Sequence, residues 1–444
     1  MVQPAASVPE PRATGLFGTF AAAGDSFRDT NFSIYWVSNA LFFVGQGLVL
    51  LGAQWLMLTL TDSRTLLGAM GAIQAVIIII LSPAAGVLAD RAARRDLLIV
   101  GRIGLATVTI AMGVVVLLGA AEVWILLLSV GLSAVFLGIS QPASQSYVFD
   151  IVGARRLMTA LALNAMATGV FQILGPSAGG GLVAAVGSQA TYLVGGTGFV
   201  IGALLLFAIP IRGKTTGGPS QVSFSTDILE TARHLRRDPL LIWVLMPATL
   251  ITMFAGAILA LRPVFAREVL DVGASGLGWL GAAFGLGSFV GSLVVVGLGE
   301  RLKLKGLTLL LAPLDWCVCM IAYAISPWFT LNLWIEFQMG LSSPFWITAM
   351  MTILQIRVPE QLRSRVLAVY FMVLQFMQLN WIVTGALADR IGDRQALLIM
   401  GLIPAGILII MLIFVRPLVT LGSDRNPLVT YGTLPGEELP DRGG

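Results

Sequence analysis

Two carboxylates stand inside long apolar runs: Asp315, near the middle of residues 306–326, and Glu336, about two turns into residues 328–356. An ionisable side chain at bilayer depth costs roughly 2.5–3.5 kcal/mol on insertion scales, so each needs a reason to be there. Buried carboxylates can take up and release protons near neutral pH, which makes both residues candidates for proton coupling; a structural acid satisfied by hydrogen bonds is the alternative. Other chemistry finds little support. Gly175-Pro-Ser177-Ala-Gly179 satisfies a hydrolase pattern, but that pattern needs a strand-to-helix elbow and a base, and the single histidine, His234, lies in a polar linker. Gly213-Lys214-Thr215 lacks the upstream glycine and strand of a nucleotide-binding loop. Cys317 and Cys319 are too close in sequence to cross-link distant segments. An enzyme, a cofactor, a metal and a nucleic-acid partner are therefore not expected.

The elements that must position these acids are membrane spans. The 444-residue chain is 57% hydrophobic and only 11% charged, against about 25% charged in an ordinary soluble domain, which excludes one. Apolar runs long enough to cross about 30 Å of hydrocarbon fall near 32–60, 65–88, 97–120, 123–149, 157–185 and 189–211, and again near 239–262, 275–298, 306–326, 328–356, 366–388 and 395–415. The first thirty residues show no signal-peptide pattern, and twelve spans put both ends on one side. If that side is cytoplasmic, Arg64, Arg262, Arg267, Arg390 and Arg394 fall outside and the rest of the 27 Lys and Arg fall inside. The bias predicts a plasma (inner) membrane protein with cytoplasmic termini.

The widest polar gap divides the spans six and six, and the halves overlay at a near-constant offset. Tyr35-Trp36-Val37 matches Ile242-Trp243-Val244, Leu88-Ala89-Asp90-Arg91 matches Leu298-Gly299-Glu300-Arg301, and Gly187 matches Gly392. The expected organisation is a cytoplasmic tail (1–30), a six-helix bundle (31–211), a linker with a short amphipathic helix (212–238), a second bundle (239–416) and a disordered cytoplasmic tail (417–444). A parallel six-helix duplication is what a transporter of two rocking bundles needs, with substrate at the repeat interface.

The loop Gly86-Val-Leu-Ala-Asp90-Arg91-Ala-Ala-Arg94-Arg95 resembles the signature loop between helices two and three of the major facilitator superfamily. Ala93 stands where the family has Gly, which predicts a tighter or displaced turn. Asn31-Phe-Ser-Ile-Tyr-Trp36 and Leu235-Arg-Arg-Asp-Pro239 further resemble the drug and siderophore exporter branch, which includes enterobactin and macrolide exporters. The resemblance implies an all-α polytopic fold, a major facilitator fold of 12 transmembrane helices in two six-helix bundles. It also implies a cytoplasmic gate, with Asp90 capping the start of span eleven beside Arg363 and Arg365, where a carboxylate complements exposed amides and the helix dipole. Glu300, beside Arg301, would face span five near Arg155 and Arg156, and Asp150 would accept from Arg91 or Arg95. Such contacts form only while the inner ends are closed, and so favour an outward-open state. In the family the third helix of each group of three is peripheral, which favours Glu336 over Asp315 for coupling. Span four has no arginine where many family antiporters carry one, which counts against coupling of the usual kind.

Gly175-Pro176-Ser-Ala-Gly179-Gly180 on span five is similar to an exporter element of the family and reads as a hinge, since proline removes a backbone donor and small residues permit close approach. Gly385-Ala-Leu-Ala-Asp389-Arg390-Ile-Gly392-Asp-Arg394 looks like a second signature loop. It follows span eleven on the outer side and reads instead as an outer helix connection or extracellular gate. Candidates to line a cavity are Asn39, Gln46, Gln54, Gln74, Gln141, Gln145, Asn164, Gln172, Gln375 and Gln378, with Trp334 and Trp346. Neutral amides and aromatics suit a bulky amphipathic molecule better than a phosphate or small anion. The reading is a monomeric secondary transporter, partnered by the bilayer, a drug-like or siderophore-like small molecule and protons. A lipid flippase of the same fold and a non-transporting receptor are the alternatives.

Overall fold

The computed structural model describes residues 29–213, 239–298, 304–358, 370 and 373–422. In chain order the helices are α1 (Thr30–Leu60), α2 (Arg64–Arg91), α3 (Arg94–Leu117), α4 (123–152), α5 (154–186), α6 (Ser188–Phe207), α7 (Pro239–Val264), α8 (Gly273–Leu298), α9 (Lys305–Ile325), α10 (Phe329–Arg357), α11 (Phe376–Ile391), α12 (Asp393–Phe414) and the short α13 (Arg416–Val419). Eleven of them contain stretches long and apolar enough to cross a membrane. The twelfth expected span is α11, part of which lies outside the described residues. The architecture is all-α and polytopic, as expected.

Local chemistry starts and stops these helices. Asp29 accepts from the amides of Asn31 (3.0 Å) and Phe32 (3.4 Å), and Ser63 caps α2 through Leu66 N at 3.2 Å, each satisfying amides that have no intrahelical partner. Helix α4 runs into α5 with no loop between them, because Gly153 takes a left-handed φ of 68° and reverses the chain there. Ala93 precedes α3 at φ −62°, ψ 124°. Any residue adopts that conformation, so the missing family glycine costs nothing. Gly187 (φ 104°, ψ 173°) and Gly392 (φ 95°, ψ 154°), the pair matched by the internal repeat, take the same turn conformation before α6 and α12.

Within the first half α1 packs on α5 and α6, and α3 on α4 and α6; in the second half α10 packs on α8 and α9, and α9 on α12. The halves meet along α5 with α8 and α2 with α11. Both seams are built on small residues. A Cβ on Gly180 would lie 2.5 Å from the Ala274 carbonyl oxygen, and one on Gly278 would lie 2.7 Å from the Pro176 carbonyl oxygen. Without a hydrophobic force between helices in lipid, such close backbone approach is what holds them.

The ends are labelled outer and inner after the charge asymmetry of the sequence. The linker helix (227–237), the N-terminal tail to residue 28 and the C-terminal tail from residue 423 lie outside the described residues. One boundary is corrected. Residues 416–419, expected at the edge of a disordered tail, form α13, because Leu418 and Leu421 bury against the start of α9 and Gly306 N donates to the Leu421 carbonyl at 3.2 Å.

Candidate transport site and gates

The second half holds a charge pair inside its helix packing. Arg262 on α7 donates through Nε to Glu336 Oε1 at 2.6 Å and through Nη2 to Oε2 at 2.8 Å. The glutamate is fully buried. Bidentate fork-to-fork geometry is the strong form of this bond and fixes direction as well as charge. Pro263, which has no backbone N–H, follows Arg262 directly, and a π-helical turn (Phe265–Val269) completes α7, so the ladder is irregular beside the pair. The guanidinium also lies 5.6 Å from the Phe284 ring centroid. Around it sit polar atoms that have no hydrogen-bond partner among the described residues: Tyr323 Oη, Trp316 Nε1 and both side-chain atoms of Asn332, one turn before Glu336. Reading Arg262 as an outer-loop cation missed this pair; the available signal was its place within the apolar run 239–262, at membrane depth with Glu336.

Asp315 is satisfied differently. Gln338 Nε2 donates to both its carboxylate oxygens, at 3.2 and 3.3 Å, tying α9 to α10. That is the arrangement of a structural acid.

The cavity candidates separate into groups. Asn39 Oδ1 accepts from Arg102 Nη2 at 2.5 Å, and its Nδ2 donates to Asn164 Oδ1 at 3.4 Å, linking α1, α3 and α5. Arg102 also bonds Ser38 Oγ and is 2% exposed. Counted in the sequence as an inner positive charge, it is instead a buried cation held by neutral oxygens and by the Phe42 ring at 5.4 Å. Gln54 Nε2 donates to the Leu259 carbonyl at 3.4 Å and so crosses from α1 to α7. Gln378 is partly buried with Oε1 lacking a protein partner among the described residues, and Gln46, Gln74 and Gln375 are partly buried. Gln141 is exposed. Trp346 is buried, whereas Trp334 is 64% exposed near the outer end of α10, beside Trp328. Where the outer ends close together, that exposure faces the perimeter, so Trp334 belongs to the interfacial aromatics rather than to a cavity. The side chains of Gln145 and Gln172 lie outside the described set.

Closure at the outer end is built from charges. The Asp389 carboxylate accepts from Arg64 N (2.9 Å), Thr65 N (2.9 Å), Thr65 Oγ1 (2.6 Å) and Ser63 Oγ (3.2 Å), capping the first turn of α2 from the end of α11. Burial alone would raise its pKa, but the bonds from Thr65, Arg64 and Ser63 outweigh that and hold it below the usual carboxylate value. The Arg64 side chain reaches Asp393 at 3.1 Å and Glu268, while Arg267 bonds the Leu58 carbonyl. The expected Asp389–Arg394 outer connection takes this form, with Arg64 as the cation. The Gly-Pro segment of α5 is part of the same closure. Gly175 packs on Gly47 of α1, and Pro176 and Gly180 pack on α8. The break in helical geometry within Val123–Val186 falls at Gly153 and not at Pro176, so these residues form a packing seam where a hinge was expected.

At the inner end Asp150 accepts from Arg94 Nη1 at 2.9 and 3.0 Å, in place of the expected Arg91 or Arg95. Arg95 turns instead to the chain leaving α6: its Nη1 donates to the Ile209 carbonyl at 2.7 Å and its amide to Arg212 O at 3.1 Å. Tyr147 Oη adds a bond to Ile211 O at 2.6 Å. Gly86 and Asp90 lie in the last turns of α2, and Arg91 at its end is exposed. Glu300, Arg301, Arg363 and Arg365 lie outside the described residues, as do the side chains of Asp90, Arg155 and Arg156.

Two bundles closed at one end around buried polar groups define a polytopic membrane transporter. Solved structures share the fold. A bacterial homologue of the human lysosomal transporter Spinster, inward-facing and occupied, superposes with TM-score 0.67 at 16% identity, covering 86% of this chain and 96% of that one. The nucleoside transporter NupG gives 0.70 at 12% identity (86% and 99%), and a peptide transporter of the POT family gives 0.68 at 14% (86% and 94%). The chain belongs to the transmembrane secretion effector family of major facilitator (MFS) transporters, whose model matches residues 21–430. A curated relative, the uncharacterized MFS-type transporter YfiS of Bacillus subtilis (strain 168), is 25% identical over 177 residues, 39% of this chain; the match spans 41% of that relative's length.

Proposed function

We propose that the protein is a secondary transporter of the plasma (inner) membrane that exports an amphipathic drug-like or siderophore-like molecule in exchange for protons. The family's description as a secretion effector supports the outward direction. The observation that carries the coupling is the bidentate Arg262–Glu336 pair, an ionisable group sealed from solvent but tied to one partner. Protonation of Glu336 from the outer side removes the charge that holds α10 to α7. Arg262 lies six residues, about 9 Å of helix, from Glu268, which bonds Arg64 of α2 at the outer closure. Loosening one end of α7 therefore reaches the other. At the inner end the signature loop, with Asp90, closes when the outer end opens, while the Arg94–Asp150 pair, formed here within the first half, holds the start of α3 to the end of α4. The aromatic and amide surfaces supply recognition without a fixed charge. The protein acts as a monomer with cytoplasmic termini.

The test is dye movement in proteoliposomes. An imposed proton gradient should drive ethidium accumulation in vesicles of wild-type protein, a protonophore should abolish it, and Glu336→Gln should abolish gradient-driven accumulation while leaving ethidium equilibration. Equal rates with and without the protonophore would reject proton coupling.

A further inference from the structure

Asn332 on α10 is 0% exposed, and neither its amide oxygen nor its amide nitrogen has a hydrogen-bond partner among the described residues. A buried amide in that condition has lost water and gained no bond, which costs free energy, and such groups are rare in folded proteins. It stands four residues before Glu336, one turn away on the same face of the helix. Helical side chains lean toward the N-terminus, so a glutamate released from its partner falls over the turn that carries Asn332. Tyr323 of α9 lies within electrostatic reach of both Glu336 and Arg262. It is also fully buried, with a hydroxyl that has no partner among the described residues.

The chemistry of these groups selects a protonation state. An ionised carboxylate only accepts hydrogen bonds, and Arg262 donates to both its oxygens. A protonated carboxyl presents one donor and one acceptor side by side, the complement of a primary amide. We propose that Asn332 and Tyr323 complete the proton-binding site as the partners of its protonated state: Glu336 swings from Arg262 to pair with Asn332, and Arg262 donates to the Tyr323 hydroxyl. One proton arrives from water and bonds a Glu336 oxygen, Arg262 keeps its own protons, and the pair passes from zero net charge to one positive charge, which the Phe284 ring continues to face. The other ionisable groups on the helices packed against α10 are engaged elsewhere or neutral. Asp315 of α9 is held by Gln338, and Cys319 is a buried thiol one turn from Tyr323. Arg267 and Glu268, beyond α7, are turned to the outer closure, and α8 carries no ionisable side chain. The unpartnered amide makes the ion-paired state less stable than an apolar residue would, and the protonated state recovers that loss. Proton uptake thereby gains the drive to part α10 from α7. This rests on the reading of Glu336 as the coupling acid.

Difference infrared spectroscopy on the full-length protein in lipid nanodiscs tests it, the carboxyl C=O stretch of Glu336 being the acid-induced band that Glu336→Gln removes. Asn332→Leu should shift that band to the higher frequency of a carboxyl without hydrogen bonds. It should also lower the proton affinity of the site about tenfold, the loss of a pair of bonds to the neutral form. Tyr323→Phe should lower the affinity about threefold and leave the band in place. A second measurement separates this from a structural role: Asn332→Leu should unfold at a higher temperature than wild type at about pH 8, with Glu336 ionised, and lose that advantage in acid. An unchanged band and affinity in both variants would overturn the exchange of partners and leave Glu336 as the proton's site. So would an Asn332→Leu unfolding temperature lowered equally at both pH values with no change of affinity. Absence of any acid-induced band assignable to Glu336 would overturn the coupling reading itself, and the exchange with it.

Discussion

Replacing Arg262 with methionine removes the cation that faces Glu336 and leaves the carboxylate in an environment where it is 0% exposed. Two charge-assisted bonds, at 2.6 and 2.8 Å, are lost together. Breaking a buried pair from one side costs about 3–5 kcal/mol, because the remaining charge has neither water nor partner. The reverse truncation, Glu336→Gln, should cost less, about 1–3 kcal/mol, since the Arg262 side chain is 13% exposed, reaches the Phe284 ring and retains the amide oxygen as an acceptor. Removing both charges in Arg262→Met/Glu336→Gln leaves a neutral interior and should recover most of the loss, giving a coupling of at least about 3–5 kcal/mol. Thermal unfolding in detergent, followed by intrinsic tryptophan fluorescence, should rank Arg262→Met lowest, then Glu336→Gln, with the double variant nearest wild type. A double variant whose loss equals the sum of the two single losses would show that the charges do not interact, and the coupling mechanism would lose its basis.

Four further outcomes are expected. Asp90→Asn should leave a folded protein that is crippled in transport, and full efflux by that variant would remove the inner gate. Gly180→Val should cost about 1–3 kcal/mol by overpacking against the Ala274 carbonyl and Gly278, seen as a lowered unfolding temperature. Asp150→Asn should weaken the Arg94 contact by about 1 kcal/mol, the pair being partly buried, and speed hydrogen exchange at the start of α3. The Asp389 cap on α2 has a depressed carboxylate pKa, so its stabilisation is fully present above the ordinary value of 3.8 and is lost only as pH falls through the lowered one. Outer closure should therefore not respond, through Asp389, to pH between about 5 and 8; loss of protection at 61–67 in that window that vanished in Asp389→Asn would contradict this.

What could be read from residues alone followed from apolar run length. The helices, their order and the turn glycines 187 and 392 all express a chain that must satisfy its backbone internally in lipid. Glu336 and Asp315 were visible as misplaced charges, but their partners were not. Arg262 sits at the edge of a run, where a cation reads as an interfacial anchor, and only the fold brings α7 against α10. Arg102 was obscured for the same reason, two turns inside α3 where a positive-inside count still claims it. Asp389 was legible as an outer connection, yet its partner is backbone, the amides of Arg64 and Thr65, and no side-chain pattern encodes that. Pro176 read as a hinge because proline loosens helices; beside Gly180 and Gly278 its effect is to let two backbones touch.

That seam between α5 and α8 has a mechanical consequence. Interlocked leucines would have to change rotamer, and pass over one another, each time the bundles rolled. Surfaces made of glycine Cα atoms and a proline ring carry no torsions to reset. Such a surface works as a bearing: it resists compression but offers little friction to rolling. The speed of cycling is then governed by release of the polar ties at the two ends, and a side chain added to the bearing should slow both directions of movement equally while leaving the balance between them unchanged.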